Sequence, residues 1–199
     1  DFADASKETI EKFLEKPELV YLWEKVNALN NPKAMLAWKK HLANDYKDMP
    51  TPEEIFGAEF VAKHLAKFDD GVSCLKLESV KRYPNLGMDD GLFVLPKSEM
   101  NALLERTGGD ISKIEKELGI PENSWRDQIN KGDTPSRLIR IDLDKSQIIN
   151  LRMPKGTEST ANDLWIPGGR TSNGLPEAVI NPISWKEIDK NQVSIVIVK

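Results

Sequence analysis

Arg137-Leu138-Ile139-Arg140-Ile141-Asp142-Leu143 is the stretch from which the fold is read. Ile139, Ile141 and Leu143 fall on one side of an extended chain, Arg140 and Asp142 on the other. That period of two predicts a half-buried strand. Ile148 to Met153 repeats the pattern, with Ile149, Leu151 and Met153 on one face and Asn150 and Arg152 on the other. Shorter strands are expected at Gly91 to Leu95, closed by Pro96, at Leu164 to Ile166 and at Ala178 to Ile180. Val193 to Val198 is apolar at nearly every position, which predicts a central strand buried on both faces.

Upstream the period becomes that of a helix. Leu19, Leu22, Trp23, Val26 and Leu29 recur at steps of three and four and make one apolar stripe. An earlier helix, capped by Ser6, carries Ile10, Phe13 and Leu14. After Asn30-Asn31-Pro32 a third is expected with Met35, Leu36 and Leu42 inward. Thr51-Pro52-Glu53-Glu54 opens a fourth as a capping box with proline at the first helical position. Further on, Gly108-Gly109 ends a helix through Leu103 and Leu104. Asp110 caps another, which Gly119 closes in the left-handed conformation. Turn residues crowd into Asp69-Asp70-Gly71 and Tyr83-Pro84-Asn85-Leu86-Gly87, and the boundary is placed there. The expected class is α+β: an N-terminal helical segment, residues 1–81, followed by a small, mainly antiparallel sheet with two or three helices, residues 82–199. The second part is expected to fold by itself.

Composition narrows the function. Net charge is −4, which argues against a scaffold that holds nucleic acid by bulk charge but allows a local basic groove. No apolar run approaches the ~18 residues that span a bilayer. Cys74 stands alone, so it forms no internal disulfide, and one Cys with two His makes a zinc cage implausible. No metal ligand set is expected. His41 and His64 fall in the helical half and read as structural or exposed. The start, Asp1-Phe2-Ala3-Asp4, suggests a chain excised from a longer one. Phosphate-loop, dinucleotide and nucleophile-elbow motifs do not occur.

Candidate chemistry lies between Arg137 and Pro182, where glycine and polar residues crowd into loops between strands. Arg140, opposite three aliphatic residues, offers a planar fork for a phosphate; the plainer reading is a pair with Asp142. Glu177 follows Gly174-Leu175-Pro176, a rigid turn that would fix its carboxylate near a ribose hydroxyl or leaving group. The plainer reading there is an exposed glutamate at a sheet edge.

The runs Asn150-Leu151-Arg152-Met153-Pro154, Asn162-Asp163-Leu164-Trp165-Ile166-Pro167-Gly168-Gly169 and Gly174-Leu175-Pro176-Glu177-Ala178-Val179-Ile180 resemble the C-terminal toxin regions of bacterial polymorphic toxins, of the rearrangement-hotspot and contact-dependent inhibition types. The resemblance implies a secreted module delivered into the cytoplasm of a target cell and neutralised by a cognate immunity protein. It also implies an ADP-ribosyltransferase or NAD glycohydrolase, with NAD as substrate and no metal. The order Arg, Ser/Thr, Glu of ADP-ribosyltransferases is followed by Arg140, then Thr157, Ser159 or Thr160, then Glu177, and the resemblance implies Arg140, Thr160 and Glu177 as catalytic. The Ser-Thr-Ser stretch is not matched, and Leu175 stands where a second Glu is usual. Arg152, Lys155, Asn162, Trp165 and Arg170 are the expected ligand-binding set. Two alternatives stay open: a metal-independent ribonuclease gripping phosphates with Arg140, Arg152, Lys155 and Arg170, and a non-enzymatic binding module.

Overall fold

The computed structural model describes residues 7–131 and 136–199. The Ser6 cap and the Asp1–Asp4 start lie outside them.

The expected class is the observed one. Helices α1 (Lys7–Glu15), α2 (Glu18–Ala28) and α3 (Pro32–Leu42) lead into α4 (Pro52–Phe56) and α5 (Ala58–Leu65). The capping box at α4 is formed in both directions: Thr51 accepts from the Glu54 N–H, and Glu54 accepts from the Thr51 N–H. Gly57, at φ +86°, breaks the expected fourth helix into these two. Leu14, Leu29 and Leu36, expected inward, are exposed, while Leu19, Leu22, Val26, Trp38 and Leu42 form the helical core.

Among the described residues seven strands follow: β1 (Val72–Leu77), β2 (Asn85–Leu86), β3 (Leu92–Pro96), β4 (Leu138–Leu143), β5 (Ala178–Ile180), β6 (Ile183–Ser184) and β7 (Val193–Val196). Five form one antiparallel sheet in the order β5-β3-β1-β4-β7, and β2 pairs with β6. One face carries Cys74, Val94, Ile139, Ile141 and Ile180, covered by Phe68 and Leu86. The other carries Leu75, Leu77, Leu95 and Leu138, against α6 (Lys97–Thr107) and α7 (Ile111–Leu118). Asp110 caps α7 through the Lys113 N–H, and Gly108 and Gly119 close α6 and α7 in the left-handed conformation. A short α8 (Ser124–Ile129) completes this layer.

Four expectations need correction. The central strand is β1, in the region taken for turns before the boundary at 81; it is buried on both faces, so no alternation marks it. Val193 to Val198 is not central. β7 pairs only with β4, at the sheet edge, leaving Ile195 and Ile197 exposed. Ile148 to Met153 is not a strand, because Asn150 turns into the left-handed region at φ +56° and only Arg152 bridges to Val179. Leu164 to Ile166 is a turn, held by the Leu164 N–H on Asn162 Oδ1 and the Trp165 N–H on the Asn162 carbonyl. That turn joins the two halves. Leu164 and Ile166 pack against the α1–α3 core, and Trp165 packs with Ala37 and Met49.

Candidate functional site

Two irregular loops, residues 154–169 and 169–177, carry the site, and buried histidines of the helical half fasten both. His41 Nδ1 lies 2.7 Å from the Gly156 carbonyl and Nε2 lies 2.8 Å from the Asn162 carbonyl. Both ring nitrogens thus face backbone carbonyls of the first loop. His64 Nε2 donates to the Glu177 carbonyl at 2.8 Å. Burial holds the pKa of His64 below its ordinary value, which suits a neutral ring with one N–H to give.

The first loop is built around Glu158, whose buried carboxylate accepts the Lys155 and Gly156 N–H groups, both at 2.8 Å. Asp90 accepts from the Ser159 N–H and hydroxyl. Asn162 Nδ2 donates to the Gly119 carbonyl at the end of α7. Gly156 has φ +87°, and a Cβ there would stand 2.5 Å from the Trp165 ring. The Trp165 ring in turn leans on His41, with centroids 4.9 Å apart. In the second loop the Thr171 N–H reaches the Leu175 carbonyl, the Glu177 N–H reaches the Gly169 carbonyl, and Thr171 Oγ1 donates to the Glu117 carbonyl.

Between the loops lies a cavity of about 110 Å³, lined by Glu177, Thr160, Asn162 and Trp165 together with Phe93, Ile120 and others. It lies beside a larger cleft of about 770 Å³ between α2 and α7, with Ile120, Leu164 and Ser172 common to both. Glu177 is 8% exposed. It lines the cavity, and no side-chain hydrogen bond reaches its carboxyl among the described residues; the buried side-chain atom of the lining that has no partner is Trp165 Nε1. Burial, and then the charge of Glu158, push its pKa up to about 8. Burial thereby favours the protonated carboxyl over the carboxylate.

Four of the expected site residues therefore meet: Glu177, Thr160, Asn162 and Trp165. The four cations do not join them. Arg140 is bonded to Asp142 at 2.8 Å, the plainer of its two readings. The register Arg140↔Leu75, Ser73↔Leu95 and Phe93↔Val179 puts Arg140 on the same sheet face as Glu177. Three strand spacings, about 14 Å, separate their strands. Arg152 donates to the carbonyls of Asn150 and Asp90 and to Asn181, which makes it a brace. Arg170 is exposed and donates to the Gly174 carbonyl. Lys155 contributes its N–H to the Glu158 turn and does not line the cavity. Glu177 is buried, so the exposed-edge reading of it does not hold.

Glu158 and Lys76 were not among the expected site residues, and His41 and His64, expected to be structural or exposed, are structural and buried. Lys76 lies on β1 and lines the cavity where the β1–β3 ladder has stopped at Ser73↔Leu95. Missing β1 hid it. The histidines had no local signal, since their partners are carbonyls more than a hundred residues away. Cys74 is buried, which raises its pKa to about 11 and makes it a poor nucleophile. Among the described residues no cluster of His, Cys, Asp or Glu is placed to hold a metal, and no helix is long and apolar enough to cross a membrane. Comparison with protein-family models, curated proteins and solved structures finds no match.

Proposed function

We propose that this chain is the toxin tip of a secreted bacterial polymorphic toxin, acting in the cytoplasm of a target cell and held in check by an immunity protein. We further propose that it acts on NAD, breaking the bond between nicotinamide and ribose by hydrolysis or transfer. The toxin context rests on the resemblance of the loop motifs. The observation that carries NAD over RNA is the placement of Glu177, a buried carboxyl free of side-chain partners, facing a ring-sized cavity beside a cleft large enough for the rest of a small ligand. Nicotinamide departs with the bonding electron pair and positive charge develops on the ribose. Glu177, ionised beside that charge, would stabilise it, and water or an acceptor group would add at the same carbon and lose its proton.

The ribonuclease reading needs cations gathered along a phosphate track. Arg140, Arg152, Lys155 and Arg170 are scattered over separate contacts instead, and five carboxylates line the cleft against three lysines. Incubating the purified protein with NAD and with RNA in parallel, with and without EDTA, tests the proposal. NAD is expected to be consumed, RNA to remain intact and chelation to leave the rate unchanged. RNA cleavage with NAD untouched would reverse the choice, and loss of activity on chelation, restored by magnesium or zinc, would indicate a metalloenzyme.

A further inference from the structure

The inner cavity is small. At the packing density of protein interiors, ~0.75, it holds roughly 80 Å³ of atoms, which is one six-membered ring. A larger ligand must leave its remainder in the adjoining cleft. Two of the walls are aromatic, Trp165 and Phe93. Its polar lining comprises Lys76, Thr160, Asn162, Thr171, Ser172 and Glu177, and of these Glu177 is a carboxyl more than nine-tenths buried with no side-chain partner among the described residues. Glu158, also buried, is the second carboxylate beside it.

An acid left in that setting wants a counter-charge. The groups around it are Glu158 from the first loop, Lys76 from β1, and His64 from α5, whose Nε2 is committed to the Glu177 carbonyl. Lys67 and Arg170 act on His64. Of these only Glu158 acts on the Glu177 carboxyl, and it does so repulsively. The cleft adds five carboxylates, Glu18 and Glu122 among them, against Lys16, Lys113 and Lys116, a net acidic lining. An anionic ring is therefore rejected, and a cationic one satisfies Glu177 while resting on aromatic walls.

We propose that the cavity is a site for a flat, positively charged nitrogen heterocycle of one ring, with Glu177 as its counter-ion. The inference rests on reading this cavity as the substrate site and specifies what it recognises: the ring's charge. A dinucleotide in its oxidised, pyridinium form is accepted and the reduced form, with a neutral dihydropyridine, is not. Binding of the cation ionises Glu177 and releases its proton to solvent.

The test uses the 1-methylnicotinamide cation and neutral nicotinamide, titrated calorimetrically into the whole chain at pH 7 in two buffers of different ionisation enthalpy. The cation is expected to bind at least tenfold tighter and to release most of one proton. In Glu177→Gln both the preference and the proton release should disappear, with the melting temperature not lowered. Equal or tighter binding of nicotinamide, cation binding without proton release, or binding of neither probe, as for a pocket that holds only water, overturns the proposal. Neither probe carries a glycosidic bond to ribose. Cation binding without NAD consumption would therefore sink the proposed reaction and spare the site. NAD consumption without charge preference would do the reverse.

Discussion

Glu177 is the residue at which stability and chemistry pull against each other. Its folded pKa of about 8 lies above the ordinary carboxylate value of 4.5, so between those pH values the native state keeps a proton that the unfolded chain gives up. Stability falls with rising pH through that window, by about 1.4 kcal/mol per unit at most, and levels off above pH 8. His64, with its pKa lowered, works in the opposite sense, but only below its ordinary value of 6.5. The interval from pH 6.5 to 8 thus isolates Glu177. Glu177→Gln keeps the shape without the charge. Its melting temperature should exceed that of the parent by a margin that grows across this interval and is constant beyond it, while NAD consumption is abolished. A margin independent of pH would mean that Glu177 is ionised in the native state. Arg140 makes the contrast. Its guanidinium serves Asp142, so Arg140→Lys should change stability by less than about 1 kcal/mol and leave turnover within twofold. A large loss of turnover would return Arg140 to the site.

At the scale of elements, what was legible depended on how one-sided each element is. β4 alternates because its Arg140 face is only half covered, and α2 shows its stripe because its outer side meets water. β1 is buried on both sides and gave no period to read, so the segment passed for a connection. β7 misled in the other direction, since an apolar run at a sheet edge reads like one at the centre. In the candidate site, Glu177 was legible from the turn before it, and Thr160 and Asn162 from their loop; Trp165, expected in a strand, turned out to lie in the same loop. The assembly of those loops was not legible, because it depends on glycines fitted against distant side chains. Gly169 is the sharpest case. It sits at φ +71°, and a Cβ there would stand 2.5 Å from His64 Nε2, the atom that holds the Glu177 carbonyl. Gly169→Ala should cost about 2 kcal/mol or more, from backbone strain and displacement of the ring. Chemical denaturation measures it. A neutral result would show that the loop is not clamped by His64.

For the whole molecule, the question is whether the helical half is a companion or a component. The sequence boundary at 81 makes residues 82–199 a self-sufficient module. In the sheet order β5-β3-β1-β4-β7, that cut removes the central strand and leaves two separate pairs, β3 with β5 and β4 with β7. Two-stranded pieces are marginal in water, and each would expose an apolar edge formerly bonded to β1. The same cut discards Phe68 from the core of one sheet face and both histidine clamps from the loops. It also strips the cover from Leu164, Trp165 and Ile166. A fragment of residues 82–199 is therefore expected to be insoluble or unfolded, by circular dichroism and amide exchange, and inactive on NAD. A fragment beginning near residue 67 regains β1 but still lacks His41, His64 and the α1–α3 core. It should recover sheet signal while leaving the 154–169 loop unprotected and the cavity unformed. If residues 82–199 alone gave a cooperative melt, β1 would be dispensable, and the helical half would be a companion after all.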